Sequence, residues 1–346
     1  MRRASWLAVV MSSVILLPPA PAQAQTRCAG QRPTMVGDGS NERLTGTDGR
    51  DVIHAGGGND EVTALGGDDV VCGGAGDDLL IGGNGNDLML GGSEVDRLQG
   101  DAGSDVLDGH AGDDRLVGGD GGDRLRGFGG NDSLDGGPGF DFVGYADIGV
   151  AVIVHLGNGF ASRGTERDRL ANFEGVYGSS QNDNLHGDER KNSLVGGGGD
   201  DFLKGGAGDD GLDGGLGSDT VSYRNFGARV VADLSRGSGP QGDTFTSIEH
   251  LVGSDHADRL TGNGADNLLR GAGGNDEIRG RSGNDTLRGQ AGADHLVGGN
   301  GDDSLFGGSG RDFLRGNTGK DRLDGGRGRD RCVRDGRDTR RSCESF

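Results

Sequence analysis

The sequence predicts an all-β chain: a parallel β-roll of two facing parallel sheets, in three blocks joined by two β-rich inserts. Three observations carry this prediction. First, Gly supplies 77 of 346 residues and Pro only 6. A Gly in a helix interior costs about 1 kcal/mol, so a helical protein is excluded. Second, Leu, Ile, Val and Phe make up about a fifth of the chain, too little for the large core of an ordinary globular enzyme. Third, the Gly recurs in a nine-residue frame and not in the triplets of collagen. What remains is a repeat architecture with few inward-pointing side chains.

The chain opens with Arg2 and Arg3, an apolar run from Trp6 to Leu17, two prolines and the small residues of Ala22-Gln23-Ala24. This pattern reads as a signal peptide over 1–24 and predicts secretion. The run is short for a membrane span of ~30 Å, and no other segment is apolar enough to cross a bilayer. Acids outnumber bases by 55 to 35, and loss of the two leading Arg takes the net charge from −20 to −22.

Residues 25–45 read as an N-terminal cap, with Gly37 to Thr45 a decayed first repeat. From Gly46 the chain falls into a nine-residue frame with Gly first, Gly fourth, Asp sixth and an apolar residue eighth, as in Gly73-Gly74-Ala75-Gly76-Asp77-Asp78-Leu79-Leu80-Ile81. Block 1 (46–144) holds eleven units, block 2 (178–222) five and block 3 (253–333) nine. Position eight is apolar in all 25 units, from Ile53, Val62, Val71 and Leu80 through to Leu323 and Cys332. Nine residues suit a six-residue turn followed by a three-residue strand whose middle side chain points inward. Two units make one coil, and 25 units would extend ~60 Å at ~4.8 Å per coil.

Gly at position four is combined with Asp at position six in twenty units. An Asp can close a turn without metal. In a roll, however, Asp78 lies one coil from Asp60 and Asp96, so carboxylates line up ~5 Å apart and repel unless a cation sits among them. A hard divalent cation wants six or more oxygens, and Gly-rich turns offer bare carbonyls beside each carboxylate. An oxygen-only donor set favours Ca2+ over zinc or copper, and Mg2+ prefers to keep its waters.

The motif G-G-x-G-x-D-x-U-x over 46–144, 178–222 and 253–333 resembles the hemolysin-type (RTX) calcium-binding repeat family. The resemblance implies a right-handed parallel β-roll with Ca2+ held between turns one coil apart. It implies as ligands Asp51, Asp60, Asp69, Asp78, Asp87, Asp105, Asp114, Asp123, Asp132 and Asp141 in block 1. Block 2 contributes Asp201, Asp210 and Asp219. Block 3 contributes Asp276, Asp285, Asp294, Asp303, Asp312, Asp321 and Asp330. Units centred on Glu94, Arg190 and Ala265 depart from the pattern and are expected not to hold a full-strength ion.

The inserts, 145–177 and 223–252, are copies of each other: Val150 to Leu156 aligns with Ala228 to Leu234, and Phe173 to Val176 with Ile248 to Leu251. Alternation at Val152, Val154 and Leu156 predicts a strand. In the family such segments look like longer coils that join or cap the rolls. A catalytic use of His155, Asp168 and Glu174 is the weaker reading, because His155 becomes Asp233 in the second copy. The four Cys admit three pairings. Because the pairs lie hundreds of residues apart, Cys28–Cys72 and Cys332–Cys343 is the sensible one, the latter folding a disulfide cap (334–346) across the end. The last 36 residues carry 11 Lys or Arg against 7 acids, read as a solvated face balancing the acidic turns. No aromatic interleaving supports nucleic-acid binding.

Repeat, inserts and ends account for the chain after the leader, and neither H-E-x-x-H nor G-x-S-x-G occurs. The expectation is a non-catalytic, secreted or cell-surface calcium-binding protein that folds as Ca2+ binds outside the cell. The alternatives are an adhesin or polysaccharide-binding module at the cell surface and, more remotely, a polyuronate-modifying enzyme.

Overall fold

The computed structural model describes residues 27–344, so the leader read at 1–24 lies outside the described residues. It is an all-β parallel solenoid of about 17 turns, strands alternating with short turns. Helical structure among the described residues is confined to single turns at Leu156–Asn158 and Pro240–Gly242. The parallel β-roll read from the repeat is therefore the fold.

Within the repeat blocks each strand pairs in parallel with the strand 18 residues on, which is one coil. On one face the register runs Val62↔Leu80, Leu80↔Leu98 and Leu98↔Leu116. On the other it runs Val71↔Met89, Met89↔Leu107 and Leu107↔Leu125. Position eight thus stacks on position eight in both sheets. The resulting ladder is buried throughout, from Ile53 to Leu323, and continues without a gap through Tyr145, Val152, Val154, Phe173 and Val176 of the first insert.

One detail differs from the sequence reading. Paired backbone covers six residues in most units, for example Leu79–Asn84 and Arg97–Ala102. The turn shrinks to three, such as Gly85–Asp87. Position one is a second inward site: Gly82 is buried like Leu80. Its missing side chain is what the geometry uses, because a Cβ on Gly73 or Gly82 would fall on the Oδ2 of Asp78 or Asp87 in the same unit.

The inserts are enlarged coils that keep the register. Val143 pairs with Val176 and Leu212 with Phe245, each across 33 residues in place of 18. Insert 1 spends the extra length on an antiparallel meander of Ile153–His155, Phe160–Arg163 and Glu166–Ala171. Its outer strands rejoin the parallel ladder at Leu134 and Leu185. Insert 2 makes a smaller version, with Val231–Asp233 bridged through Ser238 to Thr244. These coils and the ends are why the solenoid exceeds the 12.5 coils that the repeat alone supplies.

Pairing begins ahead of Gly46, with Met35–Val36 on Ile53–His54 and Arg43–Thr45 on Glu61–Thr63. At the far end Thr339–Arg341 adds to Arg322–Asp324. Disulfides Cys28–Cys72 and Cys332–Cys343 pin the two ends. Among the described residues no helix is long and apolar enough to cross a membrane.

Candidate metal sites

The tightness of the turns dictates what each Asp does. In a regular unit the position-six Oδ1 accepts the backbone N–H of the corresponding Asp one coil earlier. Asp60 N donates to Asp78 at 2.8 Å, Asp78 N to Asp96 at 2.9 Å, and Asp294 N to Asp312 at 2.9 Å. One carboxylate oxygen is therefore consumed by the stacking itself. The other, Oδ2, is buried with no hydrogen-bond partner at 19 of the 20 Asp named from the sequence, all but Asp51, and at Asp96 as well. A buried carboxylate oxygen without a partner is costly, so a fold that repeats one in turn after turn calls for a group to meet it.

The rest of the donor set is main chain. Position-four carbonyls point along the axis at the next coil, so that a Cβ on Gly103 would collide with the carbonyl oxygen of Gly85. Gly103 also has φ of +146°, a conformation that side chains avoid. Among the described residues no group of three or more His, Cys, Asp or Glu converges. Each turn instead offers one free carboxylate oxygen with backbone carbonyls nearby. That all-oxygen set suits a hard cation with a flexible shell, Ca2+ ahead of Mg2+, and suits zinc or copper poorly.

The electrostatics differ in origin from the sequence reading. Burial is the largest cause raising these carboxyls, pushing Asp96 up to about 8, Asp105 and Asp303 up to about 7, and Asp78 up to about 6. Neighbouring carboxylates such as Asp114 and Asp78 around Asp96 add to this but rank below it, and the backbone N–H opposes it. Removal from water, more than mutual repulsion, is what a cation would relieve.

Five turns solve the problem without an ion. At Asp51, Asp183 and Asp258 a Thr or Ser in position two donates to the carboxylate: Thr47 Oγ1 to Asp51 Oδ2 at 2.9 Å, Ser179 Oγ to Asp183 Oδ1 at 2.9 Å, Ser254 Oγ to Asp258 Oδ1 at 2.9 Å. At Asn192 and Asn267 an amide replaces the carboxylate, and its Nδ2 donates to the carbonyl of Glu174 or Glu249. Turns whose position-six group is already satisfied therefore occur in the first unit of block 1 and in the first two units of blocks 2 and 3. The signal was in the sequence, in a hydroxyl at position two or Asn at position six. Asp96 shares the open geometry although Glu94 replaces Gly in its turn. Glu94 Oε2 reaches back to the Gly76 amide at 2.9 Å.

Asp168 and Glu174 extend the same files across insert 1, accepting from Asp132 N and Asp141 N. They serve opposite turn rows, while His155 packs against His186 with ring centroids 4.1 Å apart and the rings tilted at 51°. The three are not gathered into one pocket. In insert 2, Asp243 and Glu249 accept from Asp210 N and Asp219 N in the same way. Sequence reasoning missed all four acids as turn caps, because the inserts displace them from the nine-residue count.

A comparison with curated proteins finds no match. The family described as RTX calcium-binding nonapeptide repeat matches residues 36–71, 63–96, 90–125, 111–143, 186–221, 252–287, 270–305, 279–314 and 297–332. These matches cover more than half of the chain and coincide with the coils that carry the unpartnered carboxylates, so the chain belongs to the RTX calcium-binding nonapeptide repeat family.

Proposed function

We propose that this is a non-catalytic, secreted calcium-binding protein whose roll forms as Ca2+ fills its turns outside the cell. The observation that carries the reading is the file of buried Oδ2 atoms without partners, running through all three blocks beside bare carbonyls. Two disulfides suit an oxidising compartment, and the leader pattern at 1–24 suits export. The ligands are the position-six Asp residues of the open turns from Asp60 to Asp330, Asp132 excepted because Arg163 stands beside its carboxylate.

Folding and binding are coupled in this account. Extracellular Ca2+ modules commonly bind with Kd ~10⁻⁴–10⁻³ M. At ten times Kd each site adds ~1.4 kcal/mol by mass action. About ten such sites supply ~14 kcal/mol, comparable with the ~5–15 kcal/mol of a whole domain. Isothermal titration of the full chain with Ca2+ tests the reading: several ions bind with millimolar to submillimolar affinity. No heat, or one ion per chain, contradicts it.

A further inference from the structure

Insert 1 buries a cation that insert 2 lacks. Arg163 lies inside insert 1 with its side chain only 3% exposed. Its Nη1 is 2.6 Å from Asp168 Oδ2, and its Nε 2.8 Å from Glu166 Oε2. Nη2 donates to the carbonyl of Gly130 at 3.1 Å and stands 3.5 Å from Asp132 Oδ2. Gly130 and Asp132 are positions four and six of one unit. The guanidinium thus occupies the acceptors that the open turns leave free.

Resting on the calcium reading above, we propose that Arg163 is a built-in replacement for the metal: the turn at Asp132 takes no Ca2+ and the insert 1 coil folds without it, whereas the matching block 2 turn at Asp210, on which insert 2 stacks, requires an ion. The second copy is an internal control. Tyr145 Oη donates to Asp168 Oδ2 at 3.0 Å, and Tyr223 Oη to Asp243 Oδ2 at 2.6 Å. Asp132 N and Asp210 N donate to Asp168 and Asp243 alike. Beside Gly208, the counterpart of Gly130, stands the neutral Gln241, whose Oε1 accepts from the Gly208 amide at 2.7 Å. Among the described residues no basic side chain pairs with Asp210 or Asp243, and Asp210 Oδ2 has no partner.

The opposite turn row repeats the contrast. Arg190 Nη1 pairs with Glu174 Oε1 at 2.5 Å, and Nη2 donates to the Phe173 carbonyl at 3.2 Å. The residue at the same offset from Glu249 is Ala265. Arginine stays charged at any pH the protein meets and presents a planar fork of donors, which suits it to satisfy a carboxylate and a carbonyl together. The insert 1 coil, together with the block 2 unit that stacks on it, therefore carries a cation on each row, Arg163 and Arg190. It forms a seam that stays ordered when the flanking blocks lose their metal.

Hydrogen exchange read by mass spectrometry on the full chain in EDTA tests this directly. Amides of 130–177 should exchange at least about tenfold more slowly than those of 208–252. Equal exchange in the two seams overturns the proposal. Counting bound Ca2+ by native mass spectrometry gives an independent arm: Asp210→Asn loses one ion and Asp132→Asn loses none, while equal losses overturn it. Arg163→Gln should gain one ion and lose the EDTA-resistant protection, and a variant unchanged in both contradicts it. If no variant or wild-type chain binds Ca2+, it is the calcium reading that fails, and the exchange contrast still decides the role of Arg163.

Discussion

At the scale of a residue, the position-six Asp has two oxygens with two duties. Oδ1 ties one coil to the previous one through a backbone N–H, and Oδ2 stays buried without a partner, the atom proposed to meet a cation. Substitution by Asn keeps the first duty and weakens the second. Asp105→Asn should therefore lower the Ca2+ count by one in native mass spectrometry. Asp183→Asn should leave the count unchanged, because Ser179 already satisfies that carboxylate. Equal losses from the two would mean that the hydroxyl at position two has no bearing on binding. At Gly103 the φ of +146° and the Gly85 carbonyl both exclude a side chain. Gly103→Ala should cost about 3 kcal/mol, seen as a higher Ca2+ midpoint for folding. Not every turn is so strict: Leu65, Asp101, His110 and Phe128 hold φ between 63° and 80° at position two.

At the scale of an element, the coil is the unit, and its core is one aliphatic side chain per strand. Leu116 is fully buried between Leu98 and Leu134. Leu116→Ala should destabilise by about 2–5 kcal/mol, and because neighbours only contact neighbours the loss should stay local. Hydrogen exchange in Ca2+ should show it within block 1 and leave block 3 unchanged. This is also where the sequence was most legible. Position eight, the Asp file and the parallel register follow from a nine-residue count, because the count is the coil. The inserts break that count by adding residues, so Asp168 and Glu174 could not be recognised as turn caps from spacing. Arg163 was invisible for a related reason: its partners Asp132 and Gly130 lie about thirty residues away, joined only by the meander. The turn length was misjudged because the pairing extends through Gly positions, where propensity argues against a strand.

At the scale of the whole molecule, the same carboxylates set a pH dependence opposite to ordinary acid denaturation. Their carboxyls are raised in the roll, to about 6 at Asp78 and about 8 at Asp96, against about 3.9 in an unfolded chain. The rolled state then binds more protons than the unfolded one, so its stability falls as pH rises. In chelator, the contribution is fully present below about pH 4 and is lost between about pH 4 and 8. Far-UV circular dichroism in EDTA should show β structure gained as the solution is acidified. Loss of structure on acidification would contradict the assignment of these groups as buried and unpaired.

A rod of about 17 coils would extend ~80 Å at ~4.8 Å per coil, and most of its turns, other than those at Asp51, Asp183, Asn192, Asp258 and Asn267 and the first insert, are proposed to depend on a cation. Small-angle X-ray scattering of the chain in millimolar Ca2+ and in EDTA near pH 8 tests that claim most directly. The account predicts a rigid rod with Ca2+ and an expanded, largely unfolded chain in EDTA that returns to the rod when Ca2+ is restored. Identical rod-like scattering in both solutions would contradict it.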